Sequence, residues 1–159
     1  MTDKSGIQSL NIKEILRFQR NRYPVLLIDR ILDIDPGKRA IARKCFTYNE
    51  WFMPGHFDDE PSVPGTVQIE CLAQTLLMTF QCMEQYMGMK ANAASYNNIK
   101  FRKKIEPGDV LLIEANLHSL KRGIAVGSSL GKVDGELACS ADFVIVVPDI
   151  LEQFKPKLL

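Results

Sequence analysis

The sequence predicts an α+β protein in which an antiparallel β-sheet wraps around one long central helix. Two β-compatible segments lie near the start of the chain, a single long apolar segment follows them, and four further β-compatible segments complete it. Strands grouped before and after one helix do not match the alternating order that builds a parallel sheet. We therefore expect antiparallel pairing, with the helix against one face of the sheet.

The first part of the chain is predicted to contain a short helix and a hairpin. Apolar and charged residues alternate at helical spacing over residues 11–20, and Tyr23-Pro24 ends that pattern. Residues 25–34 and 39–48 are β-rich and flank a turn signal at residues 35–38. We expect residues 1–10 to be a flexible N-terminus and the whole chain, residues 1–159, to form one domain.

A loop and a long helix are predicted for the middle of the chain. Prolines and glycines break the periodicity of residues 50–64, yet this segment is rich in aromatic side chains and contains a histidine. Loops of this kind often carry function. Residues 66–89 are apolar on nearly every side, which predicts a buried helix about 35 Å long.

Four β-type runs are predicted at residues 99–105, 110–120, 123–133 and 136–147. Asp134-Gly135, between the last two, is a strong signal for a two-residue hairpin turn. In the final run, alternate apolar side chains should cover the core: Leu137, Cys139, Ala141, Phe143, Ile145 and Val147.

Composition argues against several classes of protein. Lys and Arg total 20 against 19 Asp and Glu, so neither nucleic acid nor a membrane surface is an expected partner. The sequence has no signal-peptide pattern and no run of about 18 apolar residues, so we expect a cytoplasmic protein without membrane insertion. The cysteines form no C-x-x-C pair, and we interpret them as buried thiols rather than metal ligands: Cys45, Cys71, Cys82 and Cys139.

Two histidines and one glutamate are candidates for chemistry. His118 lies on the polar face of a predicted strand and is interpreted as a surface residue, whereas His56 follows a glycine among aromatic residues, where a catalytic and a structural role both fit. Glu70 falls within the apolar helix, and burial makes a carboxyl group a weaker acid, as a general acid near neutral pH requires. An ion pair with an arginine, or exposure through a gap between strands, would also explain Glu70.

Gly65 adds a third element at the start of the predicted helix. The first amides of a helix lack intrahelical partners and lie at its positive end, so they can stabilise an oxyanion, although an ordinary helix start has the same sequence. A base, an acid and an oxyanion site together suit proton abstraction beside a thioester carbonyl and loss of a β-hydroxyl. The sequence contains no P-loop, G-x-G-x-x-G or H-E-x-x-H motif.

These residues resemble the β-hydroxyacyl-[acyl carrier protein] dehydratases of the FabZ type, which have the hot-dog fold. The likeness covers nearly the whole chain after the first ten residues. The active-site signature is matched in order and spacing by Gly55-His56-Phe57, Pro61, Pro64-Gly65, Ile69-Glu70 and Ala73-Gln74. One departure is Ser62-Val63, which stands where the family usually has Val-Met.

The resemblance implies a hydro-lyase that removes water from a β-hydroxyacyl thioester to give a trans-2-enoyl thioester, in fatty-acid or related acyl-chain biosynthesis. It implies that His56 is the catalytic histidine, that Glu70 is the catalytic carboxylate, and that the Gly65 amide polarises the thioester carbonyl. No cofactor is implied beyond the phosphopantetheine arm of acyl carrier protein, which holds the substrate. The related dehydratase–isomerases carry Asp at the carboxylate position, so Glu70 favours simple dehydration.

The resemblance also implies a substrate channel, a docking surface and an oligomer. The channel residues are expected to be Trp51, Phe57, Val63, Pro64 and Tyr96. Because acyl carrier proteins are acidic, a basic patch should bind them, although a solvated basic rim explains each residue equally well: Arg102, Lys103, Lys104, Lys121 and Arg122. A homodimer with active sites shared between subunits, and a hexamer built as a trimer of dimers, are expected.

Two other functions remain open from the sequence. A hot-dog acyl thioesterase would use a carboxylate and a positioned water on an acyl-CoA, and the pairing of Gly-His-Phe with Ile-Glu argues against it. A non-catalytic acyl-binding paralogue would keep the fold without turnover.

Overall fold

In the computed structural model, which describes residues 9–154, six strands form one antiparallel sheet around a central helix. The helices are α1 (Ile12–Phe18), α2 (Gly65–Gln81) and α3 (Pro148–Leu151). The strands are β1 (Arg30–Asp35), β2 (Arg39–Cys45), β3 (Asn92–Phe101), β4 (Val110–Lys121), β5 (Ile124–Val133) and β6 (Glu136–Val146). Their order in the sheet is β1-β2-β4-β5-β6-β3. The predicted fold class is confirmed.

Helix α2 packs closely on the sheet. Every α2 residue from Cys71 to Gln81 is buried. At Gly127 of β5, a Cβ atom would lie 2.5 Å from the side chain of Leu76 and 2.6 Å from the carbonyl oxygen of Asn116. Glycine therefore lets the helix approach the strand more closely than any other residue would.

The predicted end of α2 near Met89 is wrong, because the helix ends at Gln81. Beyond it the backbone turns at Gly88, whose φ is +68°. The apolar residues after Gln81 fold back onto the helix, and the ring of Tyr86 lies edge-on to Phe80 with centroids 5.8 Å apart. Their apolar character reflects this return contact and not further helical turns.

The predicted strand at residues 25–34 begins only at Arg30. Before it, a side chain from α2 takes the place of a neighbouring strand. The Gln74 Nε2 donates to the carbonyl oxygen of Val25 at 2.7 Å, and Gln74 Oε1 accepts from the amide of Leu27 at 2.9 Å. The backbone polar groups of this segment are thus satisfied without a β-ladder.

The later strands follow the prediction with two differences. Strand β3 begins at Asn92, ahead of the predicted residue 99, and forms an edge of the sheet. Leu137 is 36% exposed instead of buried, because a register shift between Gly131 and Lys132 turns Ala138 into the core in its place. The hairpin turn at Asp134-Gly135 is confirmed, with φ values of +50° and +80°.

Leu10, the last residue of the segment expected to be flexible, exchanges two backbone hydrogen bonds with Ile31, at 2.9 and 3.0 Å. Residues 1–8 of the predicted flexible segment lie outside the described residues. Within residues 9–154, no helix has the length and apolar character needed to cross a membrane.

Three of the four cysteines are buried, as predicted, while Cys45 is half-buried. Burial raises the pKa of Cys82 to about 11 and that of Cys139 to about 12, and it also raises the pKa of Cys71. Among the described residues, no group of three or more His, Cys, Asp and Glu side chains is arranged to hold a metal ion.

Candidate active site

His56 lies in the aromatic-rich loop between β2 and α2, where hydrogen bonds fix both its backbone and its ring. The amide of His56 donates to Met53 O at 3.1 Å, and the amide of Ser62 donates to His56 O at 2.8 Å. The ring nitrogen Nδ1 lies 3.0 Å from the carbonyl oxygen of Ser62. Because a carbonyl oxygen only accepts hydrogen bonds, Nδ1 carries the proton and Nε2 is left as the basic nitrogen.

A buried ion pair fixes the start of the same loop. Lys44 on β2 has a side chain only 7% exposed, and its Nζ lies 2.6 Å from Glu50 Oε1. Phe52 and Met53, which follow Glu50 closely, are buried in the core. The loop is therefore held on both sides of Trp51.

Glu70 is half-buried, whereas the sequence suggested an enclosed carboxylate. It lies on the wall of a pocket of about 140 Å³, which we call the Glu70 pocket. The residues that line this pocket are Pro24, Val25, Leu27, Trp51, Thr66, Val67 and Glu70. Gln74, one helical turn further on, donates its Nε2 to Glu70 Oε1 at 2.8 Å and so holds the carboxylate in place. The sequence left open that Glu70 is exposed through a gap, and its half-buried position on the pocket wall agrees with that explanation.

Gly65 begins α2, and no side chain caps that end of the helix at Pro64. The first amides of any helix have no intrahelical partner, and at the start of α2 no capping side chain accepts a hydrogen bond from them. A Cβ atom at Gly65 would lie 2.7 Å from the ring of Phe101 on β3, so a larger residue would displace that ring. Gly65 lines a second pocket, of about 490 Å³, which we call the Gly65 pocket. Its walls are formed by Ser62, Val63, Gly65, Gln68, Phe101, Arg102, Lys103, Lys104 and Ile105.

In a single chain, the candidate base and acid lie beside different pockets. His56 contacts Ser62, which lines the Gly65 pocket, while Glu70 lines the other. Five residues along an α-helix correspond to a rotation of about 140°, so Gly65 and Glu70 lie on different sides of α2. Within residues 9–154 of one chain, no hydrogen bond or ion pair joins His56 to Glu70.

The predicted channel residues are divided between the Glu70 pocket, the Gly65 pocket and the loop that carries His56. Trp51 lines the Glu70 pocket and is 60% exposed, while Val63 is buried in the wall of the Gly65 pocket and precedes the half-buried Pro64. The ring of Phe57 stacks on the His56 imidazole at a centroid distance of 4.4 Å.

Tyr96, the fifth predicted channel residue, lies on β3 with its ring edge-on to Phe143, at a centroid distance of 5.6 Å. Phe143 is buried, so this contact places Tyr96 on the helix side of the sheet. Burial and, second, the negative charge of Glu70 raise the pKa of Tyr96. Tyr96 is therefore near Glu70, although 44% of its surface is exposed.

The predicted basic patch is split in one chain. Arg102, Lys103 and Lys104 follow the end of β3, whereas Lys121 and Arg122 lie at the turn between β4 and β5. The strand register puts these two groups at opposite ends of the sheet, about 30 Å apart at 3.3 Å per residue. Lys103 pairs with Glu136 and Lys104 with Glu60 and Glu106.

Two residues with clear contacts to the candidate pair had no role assigned from the sequence. Gln74 could have been found, since a polar residue four positions after Glu70 shares its helix face. Ser62 could not, because nothing in the sequence predicts that the loop brings it back to His56 six residues earlier. Its hydroxyl lies 3.2 Å from His56 Nδ1.

Comparison with known proteins identifies relatives along most of the chain. A family model described as a FabA-like domain matches residues 20–142. The chain is 40% identical over 139 residues to the 3-hydroxyacyl-[acyl-carrier-protein] dehydratase FabZ of Clostridium novyi (strain NT), a match that covers 87% of this chain and 98% of the relative.

Solved structures share the hot-dog fold. A chain of the dehydratase heterocomplex ApeI:P from Xenorhabdus doucetiae superposes with a TM-score of 0.75 at 15% identity, covering 90% of this chain and 97% of that one. Zebra fish thioesterase superfamily member 2 has a TM-score of 0.62 at 14% identity, covering 80% of this chain and 87% of that one. Since both dehydratases and thioesterases adopt this fold, the fold alone does not decide the reaction.

Proposed function

Because this chain belongs to the FabA-like family and is a 3-hydroxyacyl-[acyl-carrier-protein] dehydratase, we propose that His56, Glu70 and the Gly65 amide carry out its reaction. The observation that carries this assignment is the hydrogen bond between His56 Nδ1 and the Ser62 carbonyl, which leaves Nε2 able to accept a proton. We also propose that the enzyme acts in fatty-acid or related acyl-chain biosynthesis in the cytoplasm, with no cofactor beyond the carrier-bound phosphopantetheine.

The proposed reaction is a β-elimination. The His56 Nε2 takes a proton from the carbon next to the thioester carbonyl, and the negative charge that develops on the carbonyl oxygen is stabilised by the Gly65 amide. Glu70 acts as the general acid and donates a proton from its carboxyl group to the β-hydroxyl as the carbon–oxygen bond breaks. Water leaves, and the electron pair of the broken C–H bond becomes the double bond of the trans-2-enoyl thioester.

We propose that each active site takes His56 from one subunit and Glu70 from another. In one chain, His56 contacts Ser62 in the wall of the Gly65 pocket while Glu70 lines the other pocket, and this separation supports the arrangement. Strand β3 supports it as well, because it is an edge strand whose apolar side chains are exposed: Tyr96 by 44%, Ile99 by 39% and Phe101 by 51%. An unpaired edge with apolar side chains is a natural surface for a second copy.

A two-fold dimer of this kind would also reunite the basic residues. If β3 pairs antiparallel with the same strand of a second copy, the Asn92 end of one strand lies beside the Phe101 end of the other. Arg102–Lys104 of one subunit would then approach the partner subunit's Lys121 and Arg122. We propose that this combined surface binds acyl carrier protein. A trimer of such dimers is the larger assembly proposed, and exposed side chains such as Tyr23 and Tyr48 offer further contact surface.

Thioester turnover tests the proposed reaction against its rivals. Incubated with a β-hydroxyacyl thioester of acyl carrier protein, the enzyme should interconvert it with the trans-2-enoyl thioester, followed by absorbance of the conjugated product. Release of free thiol would indicate a thioesterase, and saturable binding without either change would indicate an acyl-binding protein. Either of those two results would contradict the assignment of the site.

Charge reversal tests the docking surface. Arg102→Glu with Lys103→Glu, and separately Lys121→Glu with Arg122→Glu, should each raise KM for carrier-bound substrate by about 3- to 10-fold and flatten its dependence on salt. Turnover of a small thioester analogue should stay unchanged in Lys121→Glu with Arg122→Glu, because these two residues line neither the Gly65 pocket nor the Glu70 pocket. Lys13→Glu on α1, which packs beside β1 at the other edge of the sheet, is the matched control. Equal losses on carrier-bound and small substrates would reject the docking role.

A further inference from the structure

The hydroxyl of Ser62 makes contacts to His56 that the elimination mechanism does not use. Ser62 is 9% exposed and lies in the loop just before α2. Its Oγ is 3.2 Å from His56 Nδ1 and 3.4 Å from the carbonyl oxygen of His56. Its own carbonyl oxygen is 3.0 Å from the same Nδ1. One serine therefore presents two oxygens to a single ring nitrogen.

The roles of these atoms follow from what each can donate. The Ser62 carbonyl oxygen accepts only, so Nδ1 must carry the hydrogen. The Ser62 hydroxyl therefore accepts from the same N–H as a second acceptor. Its own hydrogen is then free to point to the His56 carbonyl oxygen, which directs an Oγ lone pair toward Nδ1. The opposite arrangement, with the hydroxyl donating to an unprotonated Nδ1, would bring a lone pair of the ring against the Ser62 carbonyl oxygen.

We infer that Ser62 is a positioning residue that holds His56 in the tautomer with Nδ1 protonated and Nε2 free. This inference rests on the proposed role of His56 as the base. When Nε2 takes the substrate proton, the ring becomes positively charged and Nδ1–H becomes a stronger donor. Two acceptors then stabilise the charged ring better than the backbone carbonyl alone. Because Ser62 acts through His56, its effect should appear in kcat and not in substrate binding.

Valine and threonine provide a matched pair of substitutions at this position, since they have the same shape and differ by one hydroxyl. Ser62→Val keeps the backbone carbonyl and removes the hydroxyl acceptor, whereas Ser62→Thr keeps both. Ser62→Val should lower kcat by about 3- to 10-fold, the scale of one lost hydrogen bond, with KM changed by less than about twofold. Ser62→Thr should restore kcat.

The histidine tautomer provides a readout that does not depend on activity. The chain contains two histidines, and the exposed His118, hydrogen-bonded to Ser128 at 2.9 Å, serves as an internal reference. In long-range ¹H–¹⁵N spectra of protein with labelled histidine, wild-type His56 should show protonated Nδ1 and unprotonated Nε2. In Ser62→Val the other tautomer should gain population, and in Ser62→Thr the wild-type spectrum should return.

The outcomes separate this inference from the proposed function. An unchanged His56 spectrum in Ser62→Val would overturn the role of Ser62, whatever happens to kcat. A changed tautomer with unchanged kcat would support the role of Ser62 and reject His56 as the base. If Ser62→Val fails to fold, judged by loss of the native His118 signal, Ser62→Ala removes the same hydroxyl without adding a methyl group to the loop, and the same spectra decide.

Discussion

Replacement of His56 by alanine, or of Glu70 by glutamine, is expected to lower kcat by about 100-fold or more. This is the usual scale on which a general base or a general acid contributes to an elimination. Neither change should unfold the protein, because His56 and Glu70 are both partly exposed and do not belong to the core. Steady-state rates of interconversion between β-hydroxyacyl and enoyl thioesters measure the effect.

Matched controls are available for both substitutions. His118→Ala removes the other histidine, which is exposed on the outer part of β4, and Glu84→Gln removes an exposed carboxylate just beyond α2. Both control variants should keep wild-type rates. If either His56→Ala or Glu70→Gln turns over substrate at the wild-type rate with its fold intact, the corresponding catalytic role is wrong.

Mixing two inactive variants is expected to restore activity if active sites are shared between subunits. Chains carrying His56→Ala and chains carrying Glu70→Ala, allowed to exchange, should form mixed dimers in about half of all cases. Each mixed dimer would contain one site with both lesions and one intact site, so roughly a quarter of all sites should recover. The rate after exchange, compared with that of wild type at equal concentration, measures this fraction.

A second mixture gives an independent number from the same model. Chains with both substitutions, mixed equally with wild-type chains, should keep about a quarter of the wild-type sites if sites are shared, because every mixed dimer then has two damaged sites. If each chain contains a complete site, about half should remain. Failure of the first mixture to recover, together with half activity in the second, would reject the shared site while leaving the roles of His56 and Glu70 unaffected.

Features of this fold that depend on neighbours along the chain were predictable from the sequence, whereas features that depend on long-range contacts were not. The position of α2 and the hairpin at Asp134-Gly135 were predictable, because helical periodicity and turn-forming residues depend on neighbours along the chain. The end of α2 was not, since Tyr86 and its neighbours owe their apolar character to a contact that returns to Phe80. Residues 25–28 were assigned to a strand because their side chains favour β-structure. The sequence did not show that Gln74 from the helix, and not a neighbouring strand, forms hydrogen bonds with their backbone.

The candidate site divides in the same way. By itself, the sequence determined the kinds of group present and their order: a histidine after a glycine, a helix start at Gly65 and a carboxylate within that helix. Only the tertiary structure decided that Ser62 returns to His56 and that Gly65 and Glu70 line different pockets. The type of each residue and its spacing along a helix depend only on short stretches of the chain. The partner of a ring nitrogen and the wall of a pocket depend instead on how separate segments pack, which local patterns do not specify.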